Sequence, residues 1–122
     1  MPWFKVDDTL HSHPKARSVG MGPIGLWAVS GSFCMAYKTD GFVPDWFVAG
    51  FPRGRQMANE LVRAGLWSNG IRDGEEGYQF HDWDDYQQSS AEIEADRERA
   101  RDRQRNFRKR LREGKSKEAD DA

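Results

Sequence analysis

Apolar residues recur at three- and four-residue spacing most cleanly between positions 53 and 65. There Met57, Ala58, Leu61 and Val62 fall on one helical face, and Gln56, Asn59, Glu60 and Arg63 on the other. The pattern predicts an amphipathic helix that Gly65 stops in the left-handed conformation. Leu66 and Trp67 then begin an apolar extended segment. Glycines 70, 74 and 77 mark a loose connection, and residues 77–83 return as a second, aromatic strand. Upstream, residues 24–37 are apolar and small. Ile24, Trp27, Phe33 and Tyr37 could share a stripe, with Leu26, Val29 and Cys34 beside it, and such a wide apolar surface predicts a helix buried on most sides. Gly31 in its middle lowers helix stability by about 1 kcal/mol relative to alanine, so close packing against another backbone is expected there.

The remaining elements follow from breakers and short apolar runs. Residues 3–6, aromatic and branched before Asp7 and Asp8, predict an N-terminal strand. Residues 11–15 form a loop into a helical turn at Pro14, which Gly20, Gly22 and Pro23 break. Residues 39–41 turn the chain, Phe42 and Val43 form a short strand, and Pro44 starts a helix over residues 45–49. Gly50 to Gly54 is the turn before the polar-faced helix. In this order the elements predict an α+β domain over residues 1–88. Its expected form is a winged helix-turn-helix, with a three-helix core, a β-hairpin wing and a short N-terminal strand.

Past residue 88 the apolar pattern stops. Ser89, Ser90, Ala91 and Glu92 have capping-box spacing, which predicts a helix from about Ser90, and Gly114 is its natural stop. Glu94, Glu98 and Asp102 form an acidic row, with Arg97, Arg101 and Arg105 three residues ahead; each pair contributes roughly 0.2–0.5 kcal/mol. From 103 to 112 no acid occurs, while Arg103, Arg105, Arg108, Lys109, Arg110 and Arg112 do. One apolar residue per heptad, in Tyr86, Ile93, Ala100 and Phe107, supports no long coiled coil. The expected organisation is a domain over 1–88, a charged helical tail over 89–114 and a disordered C-terminus over 115–122.

Composition narrows the function classes. The 122 residues carry a formal net charge of -1, which argues against global steering onto a polyanion but leaves local basic patches. One cysteine excludes an intrachain disulfide and fits a reducing compartment. With no apolar leader and no apolar run of about 18 residues, a soluble cytoplasmic protein without a membrane partner is expected.

Catalytic and metal chemistry find little support. His11, His13, Cys34 and His81 match no zinc spacing, and Cys34 stands where a small apolar residue belongs. Asp82, Asp84 and Asp85 crowd around Trp83, as residues that cap or end an element do. The glycines at 20, 22 and 25 lack the lysine and the long strand of a phosphate loop. No enzyme activity, metal or cofactor is expected.

The polar-faced helix points to nucleic acid. Arginine, glutamine and asparagine can bond guanine and adenine edges in a major groove that admits a helix. The candidate DNA-binding residues are therefore Gln56, Asn59 and Arg63, with Arg53 and Arg55 at the helix start suited to phosphates and Arg72 in the wing turn. A merely solvated face would carry similar residues, and Glu60 counts against contact. The acid-free stretch from Arg103 to Arg112 supplies further cations for a nucleic-acid or acidic partner, or for the helix C-terminus.

The chain also resembles a family. Trp3-Phe4, Asp7-Asp8, His13-Pro14-Lys15 and Gly25-Leu26-Trp27 resemble the opening of winged-helix domains in phage replisome-organiser and replication-initiation proteins. Asp40-Gly-Phe-Val-Pro44, Leu61-Val-Arg-Ala-Gly-Leu-Trp67 and Tyr78-Gln-Phe-His-Asp-Trp83 look like small helix-turn-helix proteins of actinobacterial phages and prophages. Over residues 1–88 the resemblance implies a winged helix that binds double-stranded DNA, in replication initiation or regulation, in a bacterial or phage-infected cell. The competing expectation is a winged helix used for protein-protein interaction, with the tail docking a replication or host protein.

Overall fold

Residues distant in sequence build the main core around a small antiparallel sheet. The structure is a computed structural model that describes the backbone of residues 2–120 and the side chains of residues 2–114. The chain divides into two units, Met1–Ser90 and Ala91–Ala122. In the first, a 3-10 turn at Leu10–Ser12 leads to α1 (Pro14–Arg17), α2 (Met21–Tyr37), β1 (Phe42–Pro44), α3 (Asp45–Ala49), α4 (Gly54–Ala64), β2 (Trp67–Arg72), β3 (Glu75–Phe80) and α5 (Trp83–Tyr86). α6 (Ser90–Asp120) starts at the end of this unit and makes up the second. No helix among the described residues is long and apolar enough to cross a membrane.

The sheet has the order β1-β3-β2, with both pairs antiparallel. Register sets its faces: Trp67 stands opposite Phe80, and both Val43 and Asn69 stand opposite Tyr78. Val43, Trp67, Tyr78 and Phe80 are buried on one face, and Ala58 and Leu61 of α4 and Val48 of α3 are buried in the same core. α4 packs on α2, α3 and β2. On the reverse face Phe42 lies across the paired glycines 70 and 77, its ring 3.9 Å and 2.9 Å from where their Cβ atoms would stand. A side chain at 77 would also collide with the Val43 carbonyl oxygen, so only glycine lets β1 close on β3 there.

The α+β class, the hairpin and the long C-terminal helix are as expected, and several details differ. Residues 3–6 form no strand: Phe4 leaves the extended chain to enter an aromatic cluster, 5.0 Å from Trp27, 5.9 Å from Phe80 and 6.0 Å from Trp83 between ring centroids. α2 begins at Met21, three residues early, because Pro23 is tolerated in a first turn. Its buried line is Pro23, Leu26, Ser30 and Cys34, while Tyr37 is exposed. Gly31 is packed by the Phe4 ring and not by a backbone. The hairpin is tight: Asp73 and Gly74 both have positive φ, as a two-residue turn requires, and glycines 70 and 77 lie inside strands. β3 ends at Phe80, and Trp83 opens α5.

α6 starts at Ser90, as the spacing predicts. Asp40 anchors that start: its carboxylate accepts from the Ser90 amide at 2.7 Å and from the Ser90 hydroxyl at 2.8 Å, and negative charge is favourable at a helix N-terminus. Gly114 does not stop the helix, which continues to Asp120. An exposed glycine costs only about 1 kcal/mol, and here it sits among good helix formers. The helical backbone extends to residue 120 of the 115–122 terminus, and residues 121 and 122 lie outside the described residues.

Candidate nucleic-acid interface

The position of α4 is fixed at both ends. Arg53 precedes it in the left-handed conformation, and a Cβ at Gly54 would collide with the Val48 carbonyl oxygen. Only glycine therefore lets α4 start so close to the end of α3. At the other end Gly65 is left-handed, with its amide and that of Leu66 bonded to Val62 and Leu61 carbonyls at 3.0 Å each. The Lys15 ammonium lies beside Gly65, where a cation complements the helix C-terminus.

Gln56, Asn59 and Arg63 are exposed on one face of this fixed helix, and Glu60 is half-buried among them. Arg53 and Arg55 are exposed at its start, and both have partners. Arg53 Nε donates to Gln56 Oε1 at 3.2 Å, which orients that amide with its NH2 free of this bond. Arg55 donates to both oxygens of Asp45, Nε at 3.2 Å and Nη2 at 2.8 Å, tying α4 to the first residue of α3. Those bonds, and then the charge of Asp45, hold the Arg55 guanidinium above its ordinary value. Burial, followed by the Asp45 charge, pushes up the nearby Tyr78 phenol.

Arg72 does not join this group. Strand alternation turns it to the sheet face opposite Trp67, where it donates to the Thr39 carbonyl. The side that Trp67 shares carries Asn69 and Ile71 instead, and these line a cleft with Asp45, Glu76 and Tyr78. Asn69 lines this cleft, and the sequence pattern did not single it out. Counting by twos from Trp67 finds it once the strand is recognised.

The six tail cations are exposed. Arg105, Arg108, Lys109 and Arg112 share one face of α6 by spacing, and Arg103 and Arg110 lie on the other. Arg105 is bonded to Asp102, Arg99 to Asp96, and Arg97 stands 3.6 Å from Glu94.

The imidazoles and the thiol are dispersed. His11 Nδ1 lies 2.9 Å from the Asp8 carbonyl, His13 accepts from the Lys15 amide at 3.2 Å, and His81 contacts Asp82 at 2.9 Å. Cys34 is buried beneath β1, and burial pushes its thiol up to about 11. Among the described residues no group of three histidine, cysteine or acidic side chains is placed to hold a metal ion. No family model, curated protein or solved structure matches the chain.

Proposed function

We propose that residues 1–90 are a winged helix-turn-helix that binds double-stranded DNA, with α4 in the major groove. The observation that carries this reading is the exposed set Gln56, Asn59 and Arg63 on one face of a helix whose other face is locked into the core. Amides and guanidinium are the groups that read adenine and guanine edges. The order β1-β3-β2, with the β2-β3 hairpin following α4, supports a winged arrangement. The face of α6 bearing Arg105, Arg108, Lys109 and Arg112 adds phosphate contacts without sequence preference. The resemblance to phage replication proteins favours a role in replication initiation or regulation.

A second reading, a protein-interaction module, is favoured by the pairing of Arg55 with Asp45 together with the net charge of -1. Binding of the full chain to a mixed pool of duplexes, as a function of salt, separates the two. Phosphate contacts give a log-log slope of about -0.9 for each phosphate neutralised. Absence of binding even at low salt would replace the DNA reading with the second one.

A further inference from the structure

The rings of Phe4, Trp27, Phe80 and Trp83 form one cluster, in which Phe80 meets Trp83 edge to face at 5.1 Å between centroids. A cavity of about 180 Å³ opens onto these rings, and the N-terminal segment, the start of α1, the turn at Gly65 and α5 supply its other walls. Leu10 and Leu66, both half-buried, complete the apolar lining. An apolar cavity of roughly 150 Å³ admits benzene. This one therefore has room for a single six-membered ring with a short substituent, and none for a nucleotide.

The polar groups around the cavity are mostly donors. Its acids are engaged within the chain: Asp7 accepts from the Thr9 hydroxyl at 2.7 Å and amide at 2.8 Å, and Asp82 meets His81 at 2.9 Å. His13 Nδ1 accepts from the Lys15 amide at 3.2 Å, so the ring proton is on Nε2. Neither the Lys15 nor the Lys5 ammonium has an ion-pair partner among the described residues. Lys15 is half-buried, its stem and Nζ 3.4 Å from where a Cβ at Gly65 would stand. A half-buried ammonium beside an aromatic cavity calls for an anion.

We propose that this cavity binds a small aromatic carboxylate, with its ring against the cluster of Phe4, Trp27, Phe80 and Trp83 and its carboxylate at Lys15. Aromatic rings meet favourably in edge-to-face and offset arrangements, and the cluster presents several rings at different tilts. A carboxylate brings only acceptors, which the surplus of donors requires. The wall is set in advance, because the buried Gln87 side chain bonds the Lys5 backbone, and a preformed site loses little affinity to ordering.

Titration of the full chain with benzoate, benzyl alcohol and cyclohexanecarboxylate, followed through the indole N–H resonances, tests the proposal. No DNA is present, so the outcome is independent of how α4 acts. Benzoate should shift the Trp27 and Trp83 signals, saturating with a Kd of about 0.1–1 mM, and leave that of Trp46, which lines no part of the cavity. Benzyl alcohol, with the ring but no charge, should bind about tenfold more weakly. Cyclohexanecarboxylate, with the charge but no aromatic face, should be weaker by roughly 3- to 10-fold. Lys15→Met keeps the stem over Gly65 and should weaken benzoate about tenfold while leaving benzyl alcohol as it was. Should Lys15→Met lose both ligands, Lys15→Arg decides: benzoate binding regained supports the proposal, and binding still lost overturns it. Unmoved Trp27 and Trp83 signals, either control ligand as tight as benzoate, or benzoate as tight on Lys15→Met as on the parent would also overturn it.

Discussion

The side-chain amide of Gln87 serves as a strand partner for Lys5. It accepts from the Lys5 amide at 2.9 Å and donates to the Lys5 carbonyl at 2.7 Å. Eighty-two residues separate the two positions in sequence, and Gln87 is buried. One side chain thereby satisfies the backbone that a neighbouring strand would otherwise satisfy.

That bridge holds the segment that delivers Phe4 to the core. Replacing Gln87 by leucine leaves two backbone groups unpaired, at about 1–3 kcal/mol. The Lys5 amide should then exchange with solvent far faster, while the Phe80 amide, bonded to the Gly41 carbonyl at 2.9 Å, should be slowed by nearly as much as before. Unchanged exchange at Lys5 would show that the bridge is not what fixes this segment.

Gly31 gives a prediction whose sign is set by competition. Helix propensity favours alanine by up to about 1 kcal/mol, but the added methyl would overlap the Phe4 ring, and overpacking costs roughly 1–3 kcal/mol. Gly31→Ala should therefore lower the denaturation midpoint. In a Phe4→Leu background, where the ring is gone, the same substitution should cost less, so the two effects should be non-additive. An additive cycle would rule out the contact as the cause.

How much of this was legible in the sequence depended on contrast. α4 could be read because charged and amide side chains alternate with Met57, Ala58, Leu61 and Val62, and because Gly65 ends it. α2 could be recognised as a helix, but its inner face could not be chosen: with no charged residue, nothing in the pattern separates Leu26 and Cys34, which are buried, from Val29 and Tyr37, which are not. Gly70 and Gly77 looked like turn residues. Gly77 in fact serves the approach of Val43, a contact between strands that local sequence does not encode. The bridge from Gln87 to Lys5 was equally hidden, since no rule links a glutamine to a backbone so far away. Of the candidate site, the α4 residues were legible from spacing. The intramolecular partners of Arg53, Arg55 and Arg72 were not.

Cys34 makes stability depend on alkaline pH. Its folded value, about 11, lies above the ordinary 9.0 because burial disfavours the thiolate. A raised value means that the contribution is fully present below pH 9.0 and is lost as pH rises toward and through 11. The parent should therefore lose more stability across that window than Cys34→Ala, although the variant starts lower for lack of the buried sulfur. Equal pH dependence of the two would show that the thiol does not titrate differently on folding. Thiol reagents at neutral pH should likewise label Cys34 only as fast as the protein opens.

The sharpest test of the DNA reading compares neighbours on α4 whose surroundings the structure distinguishes. Asn59 is exposed on the outer face of α4, so Asn59→Ala should cost about 1–3 kcal/mol on a preferred duplex and little on a scrambled one. Gln56→Ala should act in the same direction and also release Arg53, whose Nε it accepts. Arg63→Ala should weaken the preferred site most if it meets a guanine. Arg55→Ala is a different experiment, because it breaks the bidentate tie to Asp45. Its effect on binding should be shared by Asp45→Ala if the tie matters by positioning α4, and should be opposite to it if Arg55 itself reaches phosphate, since removing Asp45 frees the guanidinium. Arg72→Ala, on the reverse sheet face, should change binding to either duplex least. The comparison needs two duplexes at fixed salt and a melting curve for each variant. If Asn59→Ala, Gln56→Ala and Arg63→Ala all bind both duplexes as the parent does, α4 does not read sequence, and the exposed face of this helix is only solvated.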